Sequence, residues 1–267
     1  MPASRWIIGG ASVIGAAHIR HNMPNQDALS FWPETLSGVP MVYGALADGH
    51  GARAHFRSDR GADLATKAAV SALEWSAGQD GDVDVNELGL TVAEGWRNKV
   101  YADIDEFPYE GNVASPLHPY GATVLGMMAD HQRVLLLQLG DGDILLGYPD
   151  GRIDRPISLP EGLVGEQTYS LCMKASEQYL DTWSAHLEWG DDLPDFVMMS
   201  TDGVSKSLVS DQAFEELAAQ YREQCRESID TFSNTVKALP SWLTRLSEQG
   251  SGDDASMILA VRMDNEE

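Results

Sequence analysis

"VLLLQLGDGDILLGYPDGRI", residues 134–153, sets short apolar runs between Gly-Asp-Gly and Pro-Asp-Gly. Apolar runs this short, bounded by turn residues, read as strands rather than helices, and the glycines supply the φ > 0 positions that tight turns need. The stretch therefore predicts consecutive antiparallel strands. The same criteria give strand candidates at 5–8, 11–18, 27–32, 40–47, 122–129, 132–139, 143–148, 167–174, 195–200 and 255–262.

Between the strand groups lie helical patterns in pairs. Residues 59–77 carry Leu64, Ala65, Ala68, Ala72, Leu73 and Trp75, and residues 85–106 carry Leu88, Val92, Trp96, Val100 and Ile104 on one stripe. A second pair is expected at 211–225 (Phe214, Leu217, Tyr221) and 228–247 (Phe232, Val236, Leu239), with Pro240 breaking the latter. Grouped strands and grouped helices argue against strict βαβ alternation. The predicted fold is α+β: a two-layer antiparallel β-sandwich flanked by helix pairs, formed by residues 1–267 as a single domain.

Composition limits the function. The chain has 18 Lys and Arg against 41 Asp and Glu, a formal charge of −23, so its field repels nucleic acid and anionic membranes and attracts cations. Cys172 and Cys225 show no CxxC spacing and fit neither a disulfide framework nor a structural zinc site, which suits a reducing, cytoplasmic setting. The apolar N-terminal stretch is interrupted by glycines and is too short to span a bilayer.

Several apolar strands end on acids: "ALADGHGA" at 45–52, "LQLGDGD" ending at Asp143, "MMSTDGV" around Asp202 and "GSGDDASMIL" around Asp253 and Asp254. An Asp-Gly pair alone marks a turn, and Asp143, on the far side of its turn from Asp141, is read as a turn cap. The ordered recurrence of acids at strand ends is different. Near Asp48, Asp141, Asp202 and Asp253 the sequence offers mainly Gly, Ser, Thr and Asp, so carboxylates that met in space would repel one another unless a cation joined them. All-oxygen ligands select Mg²⁺ or Mn²⁺ over zinc, and two such ions can activate water toward phosphorus.

"NQDA" at 25–28, "ADGHG" at 47–51, "YGATVLG" at 120–126, "LGDGD" at 139–143, "STDGV" at 200–204 and "GDDAS" at 252–256 resemble, in order, the motifs of the metal-dependent protein phosphatases of type 2C. The opening "HxxxNxPNQDA" is most similar to the compact bacterial branch. The resemblance implies hydrolysis of phosphoserine and phosphothreonine in proteins by water activated at a binuclear Mg²⁺ or Mn²⁺ centre. It also implies a phosphorylated protein substrate, a cognate serine/threonine kinase and a monomeric enzyme. By motif position, Asp48 would bridge the metals, the Gly49 carbonyl would ligate the second, and Asp202 with Asp253 would hold the first. Asp141 would offer a third metal to share with Asp202. Asp27 would stand beside the centre and hold one of its waters, Thr123 would pack behind the aspartates, and Asp254 ranks behind Asp253 as a ligand.

Two positions depart from the family pattern. Gln26 stands where many relatives carry a ligating Glu, and an amide oxygen is the poorer Mg²⁺ ligand. Asn22 stands where relatives place a phosphate-binding Arg, which leaves Arg20 as the candidate for that role. His18, His21 and His50 compete as proton donor to the leaving alkoxide, with His50 read as structural. Met127, Met128, Met198 and Met199 read as core.

Rival readings are an inactive phosphatase-like binding module, a phosphatase of a small phosphorylated metabolite, and a Ca²⁺-binding structural protein. The last lacks any EF-hand or repeated nonapeptide spacing. Segment 149–194 covers the position of a mobile flap in the family.

Overall fold

The computed structural model describes residues 5–79, 84–110, 113, 115–158 and 168–263. In chain order its elements are β1 (Arg5–Val13), α1 (Ala16–His21), β2 (Asp27–Trp32), β3 (Val42–Asp48), α2 (Ser58–Ala77), α3 (Val85–Glu106), β4 (Val124–Ala129), β5 (Arg133–Leu139), β6 (Asp143–Gly147), β7 (Ile153–Asp154), β8 (Asp181–His186), β9 (Phe196–Ser200), α4 (Asp202–Ser205), α5 (Asp211–Arg226), α6 (Ile229–Gln249) and β10 (Ala255–Met263). The strands form two five-stranded sheets, ordered β1-β10-β9-β6-β7 and β2-β3-β4-β5-β8, and all pairings between neighbours are antiparallel.

Period-two alternation builds three apolar layers from these strands. On β3, Val42 and Leu46 enter the core between the sheets, while Tyr43, Ala45 and Ala47 face α2 and α3. On β9, Val197 and Met199 face the other sheet, while Phe196 and Met198 face α5 and α6. Met127 and Met128 divide between layers in the same way. Both faces of both sheets are covered, which explains why the central strands read as continuous apolar runs. The predicted stripes Ala65, Ala68, Ala72, Leu73 and Leu88, Val92, Trp96, Val100 are buried against the sheet, whereas Trp75 lies outside, 37% exposed.

The structure corrects several expectations. The Gly-Asp-Gly turn does not join paired strands: β5 belongs to one sheet and β6 to the other. Gly140, at φ +108°, turns the chain out of the sheet that holds β5, and the Gln138 amide donates to the carbonyls of Gly140 and Gly142. The Pro-Asp-Gly turn does close a hairpin, between β6 and β7. Asp143 is a buried residue of β6 whose carboxylate lies 3.0 Å from the Arg155 guanidinium, so it is an internal ion-pair partner and not a turn cap.

Residues 11–18 are not one strand. β1 ends at Val13 and α1 begins at Ala16, because its first N–H groups have distant acceptors: Gly15 donates to Asp254 Oδ1 (2.6 Å), Ala16 to Ser247 Oγ (3.0 Å) and Ala17 to the Gly252 carbonyl (2.8 Å). Residues 168–174 form no strand, and residue 167 lies outside the described residues. β8, which pairs with β5, was not expected.

Pro240 does not end α6, which runs on to Gln249 with Phe232, Leu239 and Leu243 packed on the sheet. Proline removes the donor that would meet the Val236 carbonyl, at a typical cost of about 3 kcal/mol in a helix interior. Here the buried face outweighs that loss. Pro240 itself is exposed, so Pro240→Ala restores the bond without opening a cavity. It should raise stability by about 1–3 kcal/mol in urea unfolding, and an unchanged or lower midpoint would contradict this account.

Candidate metal centre

The acids come together at one end of the sandwich because strand ends from both sheets meet there. Asp27 opens β2 and Asp48 closes β3, and the two are directly paired in register. Asp141 lies on the crossing from β5 to β6, Asp202 starts α4 directly after β9, and Asp253 precedes β10. Two close approaches hold this arrangement. A Cβ on Gly49 would lie 2.5 Å from the Ser58 carbonyl and 2.7 Å from that of Gln26, and one on Gly203 would lie 1.9 Å from the Asp254 carbonyl. Glycine at 203 therefore lets α4 sit against the loop that carries Asp253.

A cleft of about 680 Å³ opens at this point, lined among others by Gln26, Asp48, Gly49, His50, Asp141, Asp202, Asp253, His18 and Lys206. Burial pushes the Asp48 carboxyl well above the ordinary carboxylate range, and Asp27, Asp202, Asp253 and Asp141 each push it further. Asp27 is likewise raised by burial and by Asp254 and Asp202, although hydroxyls of Ser256 and Thr201 donate to its Oδ2 at 2.7 Å. The cluster is thus under electrostatic tension.

Asp27 does not line the cleft; it lies one layer behind, paired with Asp48. Thr123 also supports Asp48 from behind: its Oγ1 accepts from the Asp48 N–H at 3.1 Å, and its own N–H donates to the Asp48 carbonyl at 2.8 Å. Asp254 is buried and fully engaged, accepting from Gly15 N–H and Gln26 N–H at 2.6 Å each and sharing a hydrogen with His18 Nδ1 at 2.9 Å. It fastens α1 to the start of β2. The Asp253 side chain, 47% exposed, instead turns to the cleft.

Gln26 is the clearest sign that the site takes an ion. Its Nε2 donates to Ser58 Oγ at 2.6 Å, while its Oε1 is buried with no hydrogen-bond partner. An orphaned amide oxygen on the same cleft wall as the Asp48 carboxylate, which makes no ion pair among the described residues, fits a hard divalent cation. Among the described residues no three His, Cys, Asp or Glu side chains close into a preformed cage. The oxygens line an open cleft, and their chemistry suits Mg²⁺ or Mn²⁺.

Of the basic candidates, Arg20 is exposed on α1 and is not on the cleft wall; a Cβ on Gly252 would lie 3.6 Å from its Nη2. His21 is exposed at the end of the same helix. His50 lines the cleft, but burial and the adjacent His55 push its pKa down to about 4, so its imidazole is neutral near pH 7 and poorly suited to donate a proton. Sequence reasoning missed Lys206. Its ammonium bonds Asp202 Oδ2 and stands 4.0 Å from Asp141 Oδ2. The signal was its position, one helical turn after Asp202.

The family model described as Protein phosphatase 2C matches residues 14–244. The chain belongs to the protein phosphatase 2C family. It is 22% identical over 182 residues to serine/threonine-protein phosphatase 3 of Escherichia coli K12, covering 67% of this chain and 68% of that protein. In fold it is similar to the catalytic domain of the serine/threonine phosphatase PstP, solved with two manganese ions (TM-score 0.61, 16% identity, 98% of this chain and 100% of that one). It is also similar to RsbX, solved with magnesium (TM-score 0.55, 14% identity, 97% and 96%). Among the described residues no helix is long and apolar enough to cross a membrane.

The division of labour between the adjacent acids has a direct test. In metal-free protein, Asp254→Ala strands two buried N–H donors and should cost about 3 kcal/mol or more. Asp253→Ala should cost less, about 1–2 kcal/mol, because that side chain is half exposed and its removal frees a single N–H, that of Asp254, which its Oδ1 accepts at 2.9 Å. Urea unfolding of both variants in EDTA decides this, and equal losses would refute the assignment.

Proposed function

We propose that this chain is a metal-dependent protein serine/threonine phosphatase whose residues 1–267 work as one domain. The observation that carries this reading is the convergence of Asp48, Asp141, Asp202 and Asp253 from both sheets on one cleft, beside the unpartnered Gln26 Oε1, in a chain of the protein phosphatase 2C family. PstP holds two manganese ions in a similar fold, which supports the same loading here.

In this reading Asp48, Asp202, Asp253, the Gly49 carbonyl and Gln26 Oε1 would together hold the two ions. Two divalent ions held there supply positive charge to phosphoryl oxygens and make water nucleophilic near neutral pH. The chain's own residues bind and orient. Thr123 fixes Asp48 from behind, Asp254 and Ser58 fix Gln26, and Thr201 with Ser256 fix Asp27. With Arg20 off the cleft wall, the ammonium of Lys206, on that wall, is a group able to offer charge to a phosphate. The counterpart in the cell is a serine/threonine kinase, and the setting is cytoplasmic, with the enzyme acting as a monomer.

Phosphate release from a phosphothreonine peptide and from p-nitrophenyl phosphate, with Mn²⁺, Mg²⁺ or EDTA, tests this directly. Turnover should require metal and fall about 100-fold or more in Asp48→Ala and Asp202→Ala, since the lost charge stabilisation is worth several kcal/mol. Turnover of the small ester alone would favour a phosphorylated metabolite as substrate. No turnover by folded protein would favour a binding module.

Gln26→Glu tests the second ion. A charged oxygen at that position should lower the Mn²⁺ concentration needed for half-maximal activity and for half-maximal thermal stabilisation. An unchanged requirement in both measurements would remove Gln26 from the centre.

A further inference from the structure

The cleft is not uniformly short of positive charge. On one side Asp141 and Asp202 face the Lys206 ammonium, which bonds Asp202 Oδ2 and lies 4.0 Å from Asp141 Oδ2. Elsewhere on the cleft wall, among the described residues, Asp48 makes no ion pair, Asp253 Oδ1 lies 3.7 Å from the His18 ring, and Gln26 Oε1 has no partner. The position of Lys206 is dictated by the backbone. It caps the four-residue helix α4, its N–H donates to the Asp202 carbonyl at 2.8 Å, and a lysine four residues after an aspartate on one helical turn projects toward that carboxylate.

We propose that Lys206 is a tethered replacement for a third divalent cation: its ammonium occupies the place between Asp141 and Asp202, so the cleft takes two ions and not three. The inference rests on the two-ion reading above and stands as the alternative to a third metal shared by these two aspartates. A single ammonium neutralises one charge of the pair and donates up to three hydrogen bonds, but it cannot act as a Lewis acid that makes a bound water nucleophilic, as a divalent ion does. One oxygen of Asp202 is thereby committed to Lys206, leaving the other to an ion shared with Asp253. Asp141 becomes a partner of the lysine and ceases to be a metal ligand.

Mn²⁺ bound per chain can be counted by equilibrium dialysis and elemental analysis of wild type, Lys206→Met, Lys206→Asp and Lys206→Arg, with folding checked by circular dichroism in EDTA. Lys206 is half exposed, and Met keeps its apolar stem, so the fold should survive. Lys206→Met and Lys206→Asp should each bind one Mn²⁺ more than wild type and show a larger Mn²⁺-induced rise in melting temperature. Lys206→Arg should keep the wild-type count. An equal count in wild type and Lys206→Asp, or three ions in wild type, would overturn the inference. The wild-type count itself tests the two-ion reading. Fewer than two ions would refute that reading, while an extra ion in Lys206→Asp would still support the role of Lys206.

Discussion

Mutual repulsion among carboxylates at one end of the sandwich is the constraint on which the rest of the structure depends. Asp48 stands under the influence of four other aspartates, and burial raises its proton affinity further. Such a cluster is unfavourable for a bare fold, so its position must be imposed by structure stable without it. Three apolar layers provide that stability. They fix the ends of β2, β3, β9 and β10 and the crossing from β5 to β6, and each acid is delivered where one of these elements starts or stops.

The supporting groups divide into those that hold shape and those left open to a ligand. Asp254, Thr123, Ser58, Thr201 and Ser256 have their hydrogen-bonding capacity used within the protein. Gln26 Oε1 has no partner among the described residues, and Asp253, whose Oδ1 accepts the Asp254 N–H at 2.9 Å, turns its half-exposed carboxylate to the cleft. Adjacent residues of the same type, Asp253 and Asp254, thus do opposite work. Both lie in the loop before β10, where Asp254 points back toward the first turn of α1 and Asp253 points to the cleft.

Much of this was legible in the sequence. Apolar runs ending on Asp-Gly could be placed, and their order along the chain was specific where each motif alone was not. The helix stripes 59–77 and 85–106 were visible because both helices bury a full face. What escaped reading depended on partners far away in the chain. α1 exists because Asp254, Ser247 and Gly252 accept its first N–H groups, and none of these is near in sequence. The change of sheet at Gly140 has the same local residues as a hairpin turn and differs only in where the next strand finds its neighbours. Pro240 was read by its local cost, which tertiary burial outweighed.

Lys206 was missed for a different reason. Basic residues are scarce around the acids in the sequence, yet one lysine at helical spacing pairs with Asp202 and approaches Asp141. The point matters because the chain as a whole carries a charge of −23. That field draws divalent ions in but opposes the approach of a phosphorylated protein, and at physiological salt it is largely screened beyond about 8 Å. Within that distance local charges decide. The cleft therefore has to supply its own attraction for a phosphoryl group, from bound divalent ions and the ammonium of Lys206. A lysine fixed by its own helix cannot leave with the product or be lost by dilution, as a weakly held ion can. The side of the cleft it occupies keeps its charge whatever the metal supply.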